Sequence, residues 1–148
     1  MDNATEEVID SPKGWVASHI KDYVETDGRK GHGWHGVQTL LLTTRGRRSG
    51  KLRRTALIYG KDGDAFVVVG SNGGDDKHPL WYLNVRSDDA VTIQVGDRVV
   101  EARAREAEGE ERERLWRMMA QMFPTYEQFR TKTGRRIPVV VIEPAPQG

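Results

Sequence analysis

Six basic side chains lie within ten residues of this sequence, and their spacing indicates a binding site for an anion. The basic segment, residues 45–54 (RGRRSGKLRR), contains no acid, and its cations are Arg45, Arg47, Arg48, Lys51, Arg53 and Arg54. The remaining 17 basic and 22 acidic residues give the rest of the chain a net charge of −5. Guanidinium groups and backbone amides beside two glycines suit a phosphate or a carboxylate, whereas the acidic remainder disfavours general binding of nucleic acid.

The basic segment does not fit a phosphate-binding P-loop. Its GRRSGK stretch (46–51) is one residue short, and Leu52 stands where Ser or Thr would bind magnesium. A strand also follows it, where a P-loop requires a helix. The alternative interpretation, a solvated basic turn without a ligand, stays open at this stage.

A glycine-rich stretch provides the second indication of a ligand. SNGG (71–74) follows an apolar run, and glycine there lets a ligand approach the main chain closely. Trp81 and Tyr82 follow shortly after and offer large aromatic surfaces with polar tips. Together with the basic segment, these residues predict a site for a flat ring with an anionic tail, as in flavin-like cofactors.

Several other chemistries find no support in the sequence. The chain has no cysteine, which excludes disulfides, zinc-thiolate sites and cysteine nucleophiles. His32 with His35, and Asp75 with Asp76 and His78, lack helical ligand spacing, so we predict no metal site. No GxSxG motif is present for a serine nucleophile.

The pattern of apolar residues predicts mainly β structure built from hairpins. We expect helices at 11–26, near 80–87, at 108–123 and at 125–132, and strands at 37–44, 53–60, 65–70, 91–95, 99–105 and 137–142. Residues 27–36 read as a glycine-rich loop. Because tight turns join most of the strands, the predicted fold is α+β with one antiparallel barrel and helices packed outside it. We expect one domain over residues 1–148, with the barrel at about 37–144.

Four segments resemble the deazaflavin-dependent nitroreductases, the F420H2-dependent quinone reductase family of actinobacteria. They are LLTTRGRRSGKLRRTALIY, DGDAFVVVGSNGGDDKHPLWYLN, AREAEGEERERLWRMMAQMFPTYEQF and RTKTGRRIPVVVIEP. The similarity covers roughly residues 14–144. It implies a split β-barrel related to proteins that bind flavin mononucleotide (FMN), with coenzyme F420 as the cofactor and FMN as the less favoured one.

The resemblance also implies a set of site residues. Those that would bind the cofactor are Arg47, Arg48, Ser49, Arg53, Arg54, Thr55, Ala56, Leu57, Ile58, Val69, Gly70, Ser71, Asn72, Leu80, Trp81, Tyr82, Leu83 and Asn84. Tyr126 would line the substrate side and is the candidate proton donor. Some members of the family have tyrosines where this chain has Ile58, Phe123 and Phe129, which puts reduction of nitroimidazoles in doubt.

In such an enzyme the cofactor supplies the reactivity, and the protein orients an acceptor over it. The partner would be a small quinone, enone or nitro compound, with no nucleic acid and at most peripheral contact with a membrane. We expect a cytoplasmic monomer or weak homodimer. Two alternatives are a protein that binds a flavin or another planar anion without this activity, and a nucleic-acid module.

Overall fold

The computed structural model describes residues 6–12 and 14–145. Its strands are β1 (Val8–Asp10), β2 (Gly33–Trp34), β3 (Val37–Arg45), β4 (Leu52–Asp62), β5 (Ala65–Val69), β6 (Ala90–Val95), β7 (Arg98–Glu106) and β8 (Val139–Pro144). Its helices are α1 (Gly14–Glu25), α2 (Leu80–Ser87), α3 (Gly109–Met122) and α4 (Thr125–Lys132), and a single 3-10 turn spans Asn72–Gly74.

Six antiparallel strands close into a barrel. The order is β4, β5, β8, β7, β6 and β3, and β3 pairs again with β4. The tight turns that suggested hairpins, such as 61–64 and 96–97, do join antiparallel neighbours. The prediction of a mainly β fold with a barrel and outer helices is confirmed.

Two short strands were not predicted. β1 pairs in parallel with the start of β4, from Val8 with Leu52 to Asp10 with Arg54. β2 pairs with the start of β3, inside the segment that we expected to be only a loop. Both are shorter than the runs from which sequence periodicity can be recognised. The first helix accordingly begins at Gly14 rather than at residue 11, because Ser11 still donates its backbone N–H to the Arg54 carbonyl at 2.9 Å.

The barrel interior is apolar, and α2 covers one of its ends. Alternate residues of the strands, including Leu40, Leu42, Val68 and Ile93, pack together inside it. Trp81, Tyr82 and Val85 of α2 belong to the same cluster. The short helix is therefore a plug for the barrel as well as a connection between strands.

The outer helices cover different sides of the barrel. Val16, Ile20 and Tyr23 of α1 pack on Leu41 of β3, whereas Leu115 and Met119 of α3 pack on the outer face of β5 and β8. Gly60 permits this approach, because a Cβ there would lie 2.6 Å from the Met119 sulfur. The two helices thus stand on either side of the middle of β4.

One stretch of β4 keeps an edge without a partner strand. β4 pairs with β3 throughout residues 52–59, but its other edge pairs with β1 only at 52–54 and with β5 only at 60–62. Among the described residues, no strand pairs with that edge between residues 55 and 59. We call this stretch the open edge; alternate residues along it direct their N–H and C=O groups into the gap.

Candidate functional site

The open edge forms the floor of the candidate site. Thr55, Ala56, Leu57 and Ile58 are each only partly buried, unlike the fully buried middle of β3. Ala56 packs towards α1 and Gly60 towards α3. Ile58 lies between them on the same face of the strand and therefore faces the space between the two helices.

The end of β5 forms a second side of the site. The Gly70 N–H donates to the Pro138 carbonyl at 2.9 Å. Arg135 donates to the Gly70 and Ser71 carbonyls at 3.1 and 2.8 Å. Asn72 adopts a φ of 49° and donates its side-chain N–H to the Lys77 carbonyl. The protein's own hydrogen bonds therefore fix residues 70–72 in place, as a preorganised site requires.

Four of the six cations in the basic segment remain available to a ligand. Arg45 is paired with Glu6, and Arg54 with Asp10 at 2.6 Å. The sequence indicated six cations without a neighbouring acid, and this interpretation is wrong, since the N-terminal strand brings two carboxylates to them. Within residues 6–12 and 14–145, the other four form no ion pair and all are exposed: Arg47, Arg48, Lys51 and Arg53.

Asn84 joins this segment to the barrel plug. Its side-chain oxygen accepts the backbone N–H of Arg47 at 3.1 Å, and its amide donates to Thr44 Oγ1 at 3.1 Å. Asn84 and Thr44 are both buried. The resemblance implied that Asn84 binds the cofactor; the structure gives it contacts that position the Arg47 backbone.

The aromatic pair of α2 does not present its rings to solvent. Trp81 and Tyr82 are 8% and 5% exposed and belong to the barrel interior. Tyr82 donates its hydroxyl to Glu106, and burial together with this carboxylate raises the pKa of the phenol to about 12. Leu80 is the large apolar residue that α2 exposes, at 73%. The rings of Trp81 and Tyr82, which we expected to offer a flat surface to a ligand, are thus largely buried in the core.

A group of aromatic side chains stands beside the open edge, and we call it the aromatic wall. Its members are Trp34, Phe123, Tyr126 and Phe129, with ring centroids 5.1 Å apart for Phe123 and Tyr126 and 6.3 Å apart for Trp34 and Phe123. Gly74 lets α4 approach the 3-10 turn, because a Cβ there would lie 3.2 Å from Phe129 Cα. The wall therefore extends from the 3-10 turn after β5 to Trp34.

Tyr126 is the most enclosed member of the wall. It is 4% exposed and packs in the outer core, and burial raises the pKa of its phenol above the ordinary value. In the part of the chain that the structure describes, its hydroxyl makes no hydrogen bond, and burial is the one cause of the raised pKa. The phenol is therefore neutral at physiological pH, with a donor left for a ligand.

Sequence reasoning missed Trp34. This residue stacks on Trp15 with centroids 5.9 Å apart and planes 15° apart, and it meets Phe123 on its other side. Trp34 thus connects α1 to the end of α3 across the space above the open edge. A tryptophan inside a glycine-rich stretch was the available signal, because a solvated loop has no need of one.

The described residues include neither a candidate metal site nor a helix that could span a membrane. No three His, Asp or Glu side chains of residues 6–12 and 14–145 are grouped to hold a metal ion. His32, one of the histidines considered above, instead lies with Nε2 2.8 Å from the Tyr59 hydroxyl. Within the same ranges no helix has the length and apolar character to cross a bilayer.

Comparisons with known proteins agree with this geometry. Residues 15–144 match the family described as F420H(2)-dependent quinone reductase. An F420H(2)-dependent quinone reductase of Mycobacterium tuberculosis is 36% identical over 128 residues, which cover 84% of this chain and 86% of that protein. A solved F420-H2 dependent reductase, FDR-A, is 43% identical with a TM-score of 0.66 and covers 71% of this chain and 93% of its own.

Two further solved structures bear on assembly and fold. One, described as a domain-swapped dimer, is 39% identical with a TM-score of 0.69 and covers 90% of this chain and all of its own. A pyridoxamine 5′-phosphate oxidase-like protein of Listeria innocua is 19% identical with a TM-score of 0.52, covering 76% of this chain and 86% of its own. At that identity the likeness concerns the fold alone, and it confirms the predicted split barrel.

Proposed function

Because the chain belongs to the F420H(2)-dependent quinone reductase family, we propose that it transfers a hydride from reduced coenzyme F420 to a small organic acceptor, a quinone, an enone or a nitro compound. Family membership makes the protein an oxidoreductase that uses coenzyme F420. The class of acceptor and the residues that act on it are the proposal.

The open edge of β4 is the observation that carries the proposal. A deazaflavin ring has N–H and C=O groups on its pyrimidine edge, and unpaired backbone groups at residues 55–59 offer the complementary partners. The exposed cations of the basic segment adjoin one end of that edge. A planar ring with an anionic tail fits this arrangement of residues.

The remaining predicted site residues would act from three sides. Arg47, Arg48, Ser49 and Arg53 would bind the phosphate and the acidic tail. Val69, Gly70, Ser71 and Asn72 would border the ring through the main chain. Leu80 would cap it as the exposed contact of α2, with Trp81, Tyr82 and Leu83 supporting this cap from the barrel interior. The paired Arg54 would contribute less than its neighbours, because Asp10 already neutralises it.

The proposed chemistry needs a proton at the acceptor oxygen. The Tyr126 hydroxyl is neutral and without a partner in the described residues, so it can donate a hydrogen bond as negative charge develops there. The apolar rings of Phe123 and Phe129 would exclude water beside it. Water is the alternative proton source.

A titration followed by activity measurements tests the proposed function. Coenzyme F420 should quench or shift fluorescence with a dissociation constant well below that of FMN. The reduced coenzyme should then be oxidised by a soluble naphthoquinone, an enone or a nitroaromatic compound. Equal affinity for FMN, with no oxidation by any acceptor, would favour a planar-ligand carrier. The predicted cytoplasmic location, the monomer or weak homodimer and the absence of nucleic-acid binding stay predictions.

Replacing Asn84 with alanine should weaken cofactor binding indirectly. The variant loses the acceptor for the Arg47 N–H and leaves Thr44 Oγ1 buried without its donor. We expect stability to fall by about 1–3 kcal/mol and F420 affinity to fall by about three- to tenfold. Denaturant unfolding and fluorescence titration measure the two effects. Thr44→Val removes only the second bond, so it should lower stability while F420 affinity stays close to that of the wild type.

Replacing Trp34 with alanine should affect the acceptor more than the cofactor. Its ring joins α1 to Phe123 over the space that the acceptor would occupy. We expect KM for a planar quinone to rise by about fivefold, the loss typical of one aromatic stacking contact, with F420 affinity nearly unchanged. Trp15→Ala removes only the outer ring of the stack and serves as the matched control. A KM in Trp34→Ala equal to that of this control would contradict the assignment.

A further inference from the structure

A second group of cations lies on the other side of α2 from the basic segment. We call Arg86, Arg112, Arg135 and Arg136 the arginine cluster. They come from α2, the first turn of α3 and the segment before β8. The basic segment instead joins β3 to β4, and the barrel order places β7 and β8 away from those strands. The two groups of cations are therefore separate surfaces.

The members of the cluster are held around Tyr82 and His78. The Arg86 guanidinium carbon lies 5.6 Å from the Tyr82 ring centroid, and the His78 ring lies 4.8 Å from it. Arg135 Nη1 is 3.1 Å from His78 Nδ1. The Arg112 guanidinium carbon lies 6.0 Å from the Trp116 ring centroid. Burial lowers the pKa of Arg112, the positive charge of Arg136 lowers it further, and Glu106 and Tyr82 raise it.

Three carboxylates lie near these cations, and each already accepts a hydrogen bond. Asp75 accepts the Lys77 N–H at 2.9 Å, and Asp76 accepts the Thr133 hydroxyl hydrogen at 2.8 Å. Glu106 accepts the hydroxyl hydrogen of Tyr82. Among residues 6–12 and 14–145, no member of the arginine cluster forms an ion pair. Asp75 and Asp76 act on Arg135, whereas Glu106 is the one carboxylate that acts on Arg112. Four guanidinium groups still outnumber these three carboxylates, and the excess positive charge around Arg112 is one that an anion would offset.

The polar groups of this surface that lack a hydrogen-bond partner in the described residues are donors, which also favours an anionic ligand. Arg112 Nη1 is buried and has no partner in the described part of the chain. Arg135 donates to His78 Nδ1, so a neutral His78 carries its proton on Nε2 and can donate from there. Burial lowers the pKa of His78, and Arg135 and Arg86 lower it further, which keeps the ring neutral at pH 7. A buried donor without an acceptor is costly unless a ligand supplies one.

We propose that the arginine cluster binds a small oxyanion, a phosphate or a carboxylate, at a site separate from the basic segment. Arg112 and Arg136 would hold its oxygens, and His78 Nε2 and Arg86 would donate from the α2 side. Arg135 would act as support, since its donors are already used on the carbonyls of Gly70, Ser71 and Asp75. The site does not depend on the proposed reductase chemistry.

The test measures thermal unfolding of the full chain in inorganic phosphate. The Arg47→Ala, Arg48→Ala double variant serves as the background, so that the basic segment does not contribute. At constant ionic strength, phosphate should raise Tm along a saturating curve, by about 3–6 °C at ten times the half-saturating concentration. Succinate in a parallel titration distinguishes the two ligands: saturation by phosphate alone identifies a phosphate site, and saturation by succinate a carboxylate site.

Arg112→Met in the same background separates binding from a structural role. The substitution removes the guanidinium and keeps an apolar stem. It should abolish the saturating rise and change Tm in anion-free buffer only slightly, because the loss of the contact with the Trp116 ring is offset by removal of the buried Nη1 that has no partner in the described residues. Arg117→Met, on the exposed face of the same helix, is the control and should keep the rise. Arg136→Gln, at an exposed position, should raise the half-saturating concentration by about fivefold or more.

Two results would overturn the proposal. One is the absence of any saturating rise with phosphate or succinate. The other is an equal loss of stability in Arg112→Met with and without the anion, which would make Arg112 a structural partner of the protein itself.

Discussion

The Arg47→Ala, Arg48→Ala double variant is expected to bind coenzyme F420 at least about a hundredfold more weakly than the wild type. Charge-assisted hydrogen bonds to a phosphate or carboxylate contribute about tenfold or more in affinity each. Both side chains are exposed and without an ion pair in the described residues, so removing them takes nothing from the fold. Fluorescence titration with the cofactor measures the loss.

A matched pair of variants controls for the change in net charge. Arg29→Ala, Lys30→Ala removes two exposed cations from the loop after α1 and should leave F420 affinity within about twofold. The wild-type affinity should also fall as salt rises, and the double arginine variant should show a weaker dependence on salt. An unchanged affinity in the Arg47, Arg48 variant would place the tail of the cofactor elsewhere.

The second large effect is expected from Tyr126→Phe. The substitution keeps the ring that packs against Phe123 and removes only the hydroxyl. If that hydroxyl donates to the acceptor oxygen, oxidation of the bound reduced cofactor by a quinone should slow by at least about tenfold. F420 affinity should stay nearly unchanged. Single-turnover measurements report this step directly.

Two further observations sharpen the test of Tyr126. Burial raises the pKa of its phenol above 10, so loss of its proton should not affect the rate between pH 6 and 9. Tyr23→Phe is the control: its hydroxyl accepts the Gly96 N–H and donates to backbone carbonyls, so the substitution should lower stability and not the rate. Equal single-turnover rates in wild type and Tyr126→Phe with several acceptors would leave Tyr126 as part of the wall, with water as the proton source.

The sequence was informative wherever the structure depends on neighbours along the chain. Tight turns at 61–64 and 96–97 predicted hairpins, and a chain built from successive hairpins can close into a barrel. The basic segment is likewise contiguous. Its actual charge was not predictable, because Glu6 and Asp10 come 39 and 44 residues earlier and approach it only through the pairing of β1 with β4.

The directions of the side chains within the site were harder to predict from the sequence than the hairpins were. Trp81 and Tyr82 could have faced a ligand or the core, and eight residues of α2 do not decide between the two. The structure turns them inward because the end of the barrel must be covered with apolar surface. The sequence did not indicate a role for Trp34, because a two-residue strand shows no periodicity. The contacts of Trp34 are with residues distant in the chain, in α1 and at the end of α3.

The open edge also has a consequence for handling the protein. Alternate residues of β4 between 55 and 59 direct unpaired backbone groups into the gap, and a free strand edge is a template to which a second chain can add. A bound cofactor would occupy those groups, so cofactor-free protein should self-associate more readily during expression and storage than loaded protein. Light scattering of concentrated samples with and without F420 would show the difference, and supplying the cofactor before concentration would be the practical remedy.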